Sequence, residues 1–197
     1  MQLKGKLFLI PNTLGETNPM DVLPQTVQRA IELMDTFVVE NEKDARKFIK
    51  SICPEKVQAT LKLSALNKRT EKSEHFAMIK PCLEGQNIGL MSDAGCPGVA
   101  DPGAAIVKLA HENGIQVVPL VGPSSILLAV MASGMNGQSF AFNGYLPVDK
   151  DEKKAMLKSL EKLSADKNQS QLFIETPYRN NKMLEDLLQI VQPSTHI

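Results

Sequence analysis

"LMSDAGCPGVADPG", residues 90–103, decides how the chain is read. An apolar run stops at Ser92, and Asp93, Gly95, Pro97, Gly98, Asp101, Pro102 and Gly103 then fill a rigid loop with little side chain before a helical pattern opens. A buried strand that feeds such a loop and then a helix is one βα unit of a parallel sheet. A loop of small residues at the carboxyl end of that strand lets a ligand approach the backbone closely.

The same alternation continues on both sides. Upstream, "KLFLIP" (6–11) reads as a strand, and 23–35 as a helix with Val27, Ala30, Ile31 and Met34 on one face. "FVVE" (37–40) is a strand, 42–52 a helix, "ATLKLSAL" (59–66) a strand and 71–85 a helix. The quoted loop's own strand is 87–92, followed by a helix over 103–114, a strand over 115–120 and a helix over 123–134. Beyond it, "SFAFNGYLP" (139–147) and 171–177 read as a hairpin-like pair of strands. Helices are expected over 148–169, with Ala155, Met156, Leu157, Leu160 and Leu163 inside, and over 178–191. The expected domains are 1–135 and 136–197; two strands leave open edges, so the second reads either as truncated at its last strands or as having its edge covered by a partner chain.

Composition narrows the function classes. Twenty-two basic residues balance twenty-two acidic ones, so the whole molecule has no field that would hold nucleic acid or an anionic membrane. The balance is local, however: residues 40–80 hold ten Lys or Arg against six Asp or Glu, and residues 81–147 one against four. Cys53, Cys82 and Cys96 are scattered, as are His75, His111 and His196, so neither disulfides nor a metal site is expected. The apolar stretch after Met1 is too short for a signal peptide or a membrane span, which implies a cytoplasmic protein with no membrane partner.

Four strand-end loops can carry chemistry: "PNTLGETNPM" (11–20), the quoted loop, "VGPSS" (121–125) and "TPYR" (176–179). Neither a dinucleotide-binding glycine fingerprint nor a P-loop is present. Asp93 sits where a carboxylate meets a ligand or organises an Asx turn, and Asp101 precedes a helix as a capping candidate. Cys96 reads as a small filler, and Ser124 and Ser125 as a helix cap that also offers hydroxyls to a ligand.

The ordered set "LFLIPNTLGE", "GLMSDAGCPGVADPG", "VVPLVGPSS", "FNGYLP" and "LFIETPYR" resembles the tetrapyrrole methylase superfamily of S-adenosylmethionine-dependent methyltransferases. The quoted loop is most similar to the branch that methylates a cytidine ribose 2′-hydroxyl of small-subunit ribosomal RNA, although that branch commonly has Thr where Cys96 stands. The resemblance implies two α/β domains, a mainly parallel sheet in the first and a mixed sheet in the second, and a homodimer. It also implies S-adenosyl-L-methionine as cofactor and ribosomal RNA or the small ribosomal subunit as partner. The donor would be bound by Leu14, Gly15, Met91, Ser92, Asp93, Ala94, Cys96, Ser124, Ser125, Glu175 and Thr176. Glu40 is the first candidate for a catalytic carboxylate, with Asp44, Asp93 and Glu175 behind it. Two other readings stand beside this one: a methyltransferase for a tetrapyrrole-like small molecule or a protein side chain, and a protein that binds the donor without catalysis.

Overall fold

A computed structural model describes residues 3–197. The chain divides into two compact units, the first ending at Ser125 and the second running from Ile126 to Ile197. The helix that opens at Ser125 therefore groups almost wholly with the second unit, whereas the pattern of the sequence puts the boundary between 135 and 136.

The first unit is a parallel sheet of β1 (Lys6–Ile10), β2 (Thr36–Val39), β3 (Lys62–Ala65), β4 (Ile88–Met91) and β5 (Gln116–Pro119), in the order β3-β2-β4-β1-β5. Side chains alternate between its faces, as the two-residue period of a strand requires. Phe37 and Val39 of β2 join Ile10 and Met91 in one core with α2 (Gln25–Glu32) and α3 (Glu42–Ile52). Val38, between them, joins Leu7, Ile88 and Leu90 in the opposite core with α4 (His75–Leu83) and α5 (Ala104–Glu112). Both faces are covered, so these short strands read as apolar runs. Gly89 is needed where β4 crosses this packing: a Cβ there would lie 2.6 Å from Ile10 Cδ1 and from Phe37 Cδ1.

One element was not foreseen. The first loop carries a single-turn helix, α1 (Pro19–Val22), capped by the Asn18 side chain. The stretch after Pro54 also enters a 3-10 turn at Gln58–Thr60 before β3, so the expected strand is shorter than its alternation suggested.

The second unit contains α6 (Ser125–Ser133), β6 (Phe140–Tyr145), α7 (Lys150–Lys167), β7 (Ser170–Ile174) and α8 (Asn180–Ile190). The hairpin-like pairing expected here is corrected: β6 and β7 run parallel, Phe140 opposite Ser170, and α7 is the crossover between them. Parallel neighbours need such a crossover, and an 18-residue helix supplies it. The mixed character expected of this sheet is not carried by these two strands. Leu157 and Leu160 of α7 are buried with Leu146, Met183 and Leu187. Met156 and Leu163 are half-buried, but Ala155, expected inside, is exposed. No helix of the described residues is long and apolar enough to cross a membrane.

Candidate functional site

Strand order points to a candidate site in the first unit. From β1 the chain moves toward β2, and from β4 it moves the other way to β5, so the loops leaving these adjacent strands depart to opposite faces. The crevice beyond the carboxyl ends of such a pair is where open parallel sheets bind ligands.

Hydrogen bonds tie the two loops together. Asn12, buried at the end of β1, donates its backbone N–H to the Gly95 carbonyl at 2.9 Å, and Gly95 N–H returns a bond to Thr13 O at 3.3 Å. The Asn12 side-chain amide donates to the carbonyls of Ser92 (3.3 Å) and Asp93 (3.0 Å), while its Oδ1 accepts from Thr13 N–H at 2.8 Å. Every polar atom of this buried side chain is thereby satisfied. Gly95 has φ +65, and a Cβ there would meet Leu14 Cδ2 at 3.1 Å and the Pro123 carbonyl at 3.4 Å. The third loop joins at the same point, where the Cys96 thiol donates to the Pro123 carbonyl at 3.4 Å. Burial raises the Cys96 pKa, which agrees with a filler and not a thiolate nucleophile.

A carboxylate rim borders these loops. Glu40, one residue past β2, accepts the Asp93 backbone N–H through Oε2 at 3.4 Å. Partial burial raises the Asp93 pKa, the neighbouring charges of Glu40 and Asp44 raise it further, and a hydrogen bond from the Asn41 backbone opposes them. Asp101 does not cap α5: the cap position is Gly103, with no side-chain bond. Instead Asp101 and Glu40 line a small cavity with Leu66, Met91, Ser92 and Gly103. Burial and the Asp93 charge raise the Asp101 pKa, and the nearby Ser92 opposes them.

The first unit thus brings together Leu14, Asp93 and Cys96, with Glu40 at the rim. Gly15 and Ala94 are exposed and Ser124 is half-buried, while Ser125 opens α6. Met91 and Ser92 are buried. The Met91 side chain belongs to the core and the Ser92 hydroxyl donates to the Ala94 carbonyl at 3.0 Å, so each has mainly its backbone to offer. Asn12 was missed by sequence reading, because one Asn after Pro at a strand end looks like any turn.

In the second unit Glu175 and Thr176 follow β7. Glu175 Oε1 accepts from the Thr176 N–H (2.7 Å) and from Arg179 Nε and Nη2 (2.8 Å each). The Arg179 guanidinium lies 5.4 Å from the centre of the exposed Tyr178 ring. The Thr176 N–H is the largest of several contacts that hold the Glu175 carboxyl below the usual carboxylate range. A carboxylate so engaged is a structural anchor and a weak base. Among the described residues, no cluster of His, Cys, Asp and Glu could hold a metal ion.

Comparison with known proteins follows the same lines. The Tetrapyrrole (Corrin/Porphyrin) Methylases profile matches residues 19–197. The chain is 30% identical over 188 residues to a protein from Vibrio cholerae, covering 94% of this chain and 60% of the relative. It is 33% identical over 187 residues to one from Bacillus subtilis, covering 95% and 60%. Both relatives are named ribosomal RNA small subunit methyltransferase I. The chain thus spans about three fifths of their length. Among solved structures, the methyltransferase CobJ matches with a TM-score of 0.62 and 19% identity, covering 96% of this chain and 77% of that one. That likeness concerns the fold.

Proposed function

The chain belongs to the tetrapyrrole (corrin/porphyrin) methylases, and from that premise we propose that it is an S-adenosylmethionine-dependent methyltransferase acting on a ribose 2′-hydroxyl of ribosomal RNA. One observation carries the reading: the β1 and β4 loops, stapled by Asn12 at the point where the strand order reverses, beside a rim of Glu40, Asp93 and Asp101. The rim suits the donor's chemistry, since a sulfonium and an ammonium are attracted to carboxylates whose mutual repulsion a cation would relieve. When bound, the donor supplies a methyl group already activated on sulfur. The names of the relatives support the choice of RNA as acceptor.

In this reading Leu14, Gly15 and the 92–96 backbone hold the donor, and Ser124 and Ser125 offer hydroxyls. The fixed loops align an acceptor oxygen for in-line attack, a positioning effect on the order of 7–11 kcal/mol where well achieved. Glu40 accepts the acceptor's proton, typically worth about 10²- to 10⁴-fold. The same proposal includes a homodimer, which light scattering reports directly.

A thermal shift with S-adenosylhomocysteine tests the donor site independently of the acceptor. No shift at millimolar ligand would count against the methyltransferase reading as a whole. A shift without tritium transfer from labelled donor to unmodified small ribosomal subunits would reject RNA as the acceptor and leave a methyltransferase for a small molecule or a protein side chain, or a protein that binds the donor without catalysis.

A further inference from the structure

Beside the acidic rim lies a surface of opposite character. Leu66, next after β3, lines the Glu40 cavity and donates its N–H to the Val39 carbonyl at 2.7 Å. The chain then turns through Asn67, Lys68, Arg69 and Thr70. This turn is built: Thr70 N–H donates to Asn67 O (3.0 Å), Arg69 N–H to Asn67 Oδ1 (2.9 Å), Asn67 N–H to Thr70 Oγ1 (3.0 Å), and Thr70 Oγ1 to Ala65 O (3.2 Å). Lys68 and Arg69 project from it into solvent, and among the described residues neither makes a salt bridge, nor does Lys72.

The helix that follows extends the pattern. Phe76 and Lys80, four residues apart, share one face of α4, and Lys72 opens the 3-10 turn that leads into it. Phe76 is 50% exposed, unusual for an aromatic with a core available one turn away. The two carboxylates within this stretch are turned to the backbone: Glu71 and Glu74 form a reciprocal capping box, Glu74 Oε1 accepting the Glu71 N–H at 2.9 Å. Lys80 alone is paired, at 3.7 Å with Glu84.

We infer that Lys68, Arg69 and Lys72, with Phe76, form the docking edge for single-stranded RNA. The cations would contact phosphates and the ring would stack a base, while the neighbouring strand ends receive the reacting ribose. Exposed cations interleaved with an aromatic ring are what a single strand requires, since each base offers a face and each phosphate a charge. The distances suit this, because β3 and β2 are adjacent strands spaced by about 4.8 Å. The basic turn and the Glu40 rim are therefore within the span of a nucleotide or two. The inference rests on the proposed RNA substrate, and the test separates the two.

Fluorescence anisotropy with a labelled single-stranded RNA oligonucleotide, titrated at several salt concentrations, reads the edge directly. Loss of three phosphate contacts in the Lys68→Ala, Arg69→Ala, Lys72→Ala variant lessens the slope of log affinity against log salt by about 2. Phe76→Ala lowers affinity about tenfold without changing that slope. Lys68→Arg with Lys72→Arg keeps the slope. An unchanged slope in the triple alanine variant, or no RNA binding by the parent chain, overturns the docking edge. The thermal shift with S-adenosylhomocysteine, run on the same proteins, is retained in these variants, and its absence in the parent would sink the methyltransferase reading whatever the RNA result.

Discussion

The two units solve the same packing problem at different scales. The first closes five parallel strands between two helical layers, and Leu7, Ile10, Phe37 and Ile88 are completely inaccessible to solvent. The second has two strands and one smaller cluster around Leu157, Leu160 and Leu187, so each of its strands is an edge with an unpaired side. The Asn12 staple sits on the unit with the larger core, which is where the proposed ligand loops would find the firmer support.

The largest expected effect is in the first core. Phe37→Ala costs about 3–5 kcal/mol, whereas Leu157→Ala in the second unit falls toward the lower end of about 2–5 kcal/mol, because an open sheet can collapse into the space. Urea unfolding of the two variants measures the contrast, and equal losses would break it. Native-state hydrogen exchange adds detail: amides of β4 should outlast those of β7.

Next comes Asn12→Ala, which strands the carbonyls of Ser92 and Asp93 and costs about 1–3 kcal/mol. It should also weaken S-adenosylhomocysteine binding by calorimetry, while a substitution in the second core of similar stability cost should not.

A smaller effect depends on pH. The Asp93 carboxyl, ordinarily at 3.8, is raised in the folded chain, so the folded state holds its proton longer than the unfolded one. The stability this group contributes is fully present below 3.8 and is lost as pH rises through the folded value. Asp93→Asn should therefore raise the thermal midpoint at pH 7 relative to the parent, and the gain should vanish near pH 3.

The smallest effect is in the same loop. Ala100 is held at φ 63, a left-handed conformation that costs a side-chain-bearing residue roughly 1–2 kcal/mol. Ala100→Gly should relieve it, a net gain of under about 1 kcal/mol after the added chain entropy of glycine. A loss on chemical denaturation would show that the loop owes its shape to the methyl group.

Much of this was legible in the sequence because burial leaves a periodic trace. The helix expected over 42–52 is α3, Glu42–Ile52, capped by Asn41, whose side chain accepts from the N–H groups of Lys43 and Asp44. Strands buried on both faces appear as short apolar runs, as at 88–91. The direction in which β6 meets β7 leaves no such trace, since both pairings suit the same residues. Asn12 was hidden because its partners lie 80 and 81 positions away. Asp101 was misleading for the opposite reason: it has a local capping explanation, and the fold uses it elsewhere.

That separation also sets an order of events. A contact spanning 80 residues closes only after the intervening strands and helices have docked, since chain closure across such a distance is unfavourable until they hold the ends together. In a chain emerging from a ribosome, residues 11–15 are made early yet have nothing to bond to until residues 92–95 follow. On the proposed reading, ligand competence is therefore acquired only once the β4 loop has been made and docked, and the donor stabilises the folded chain only from that point on.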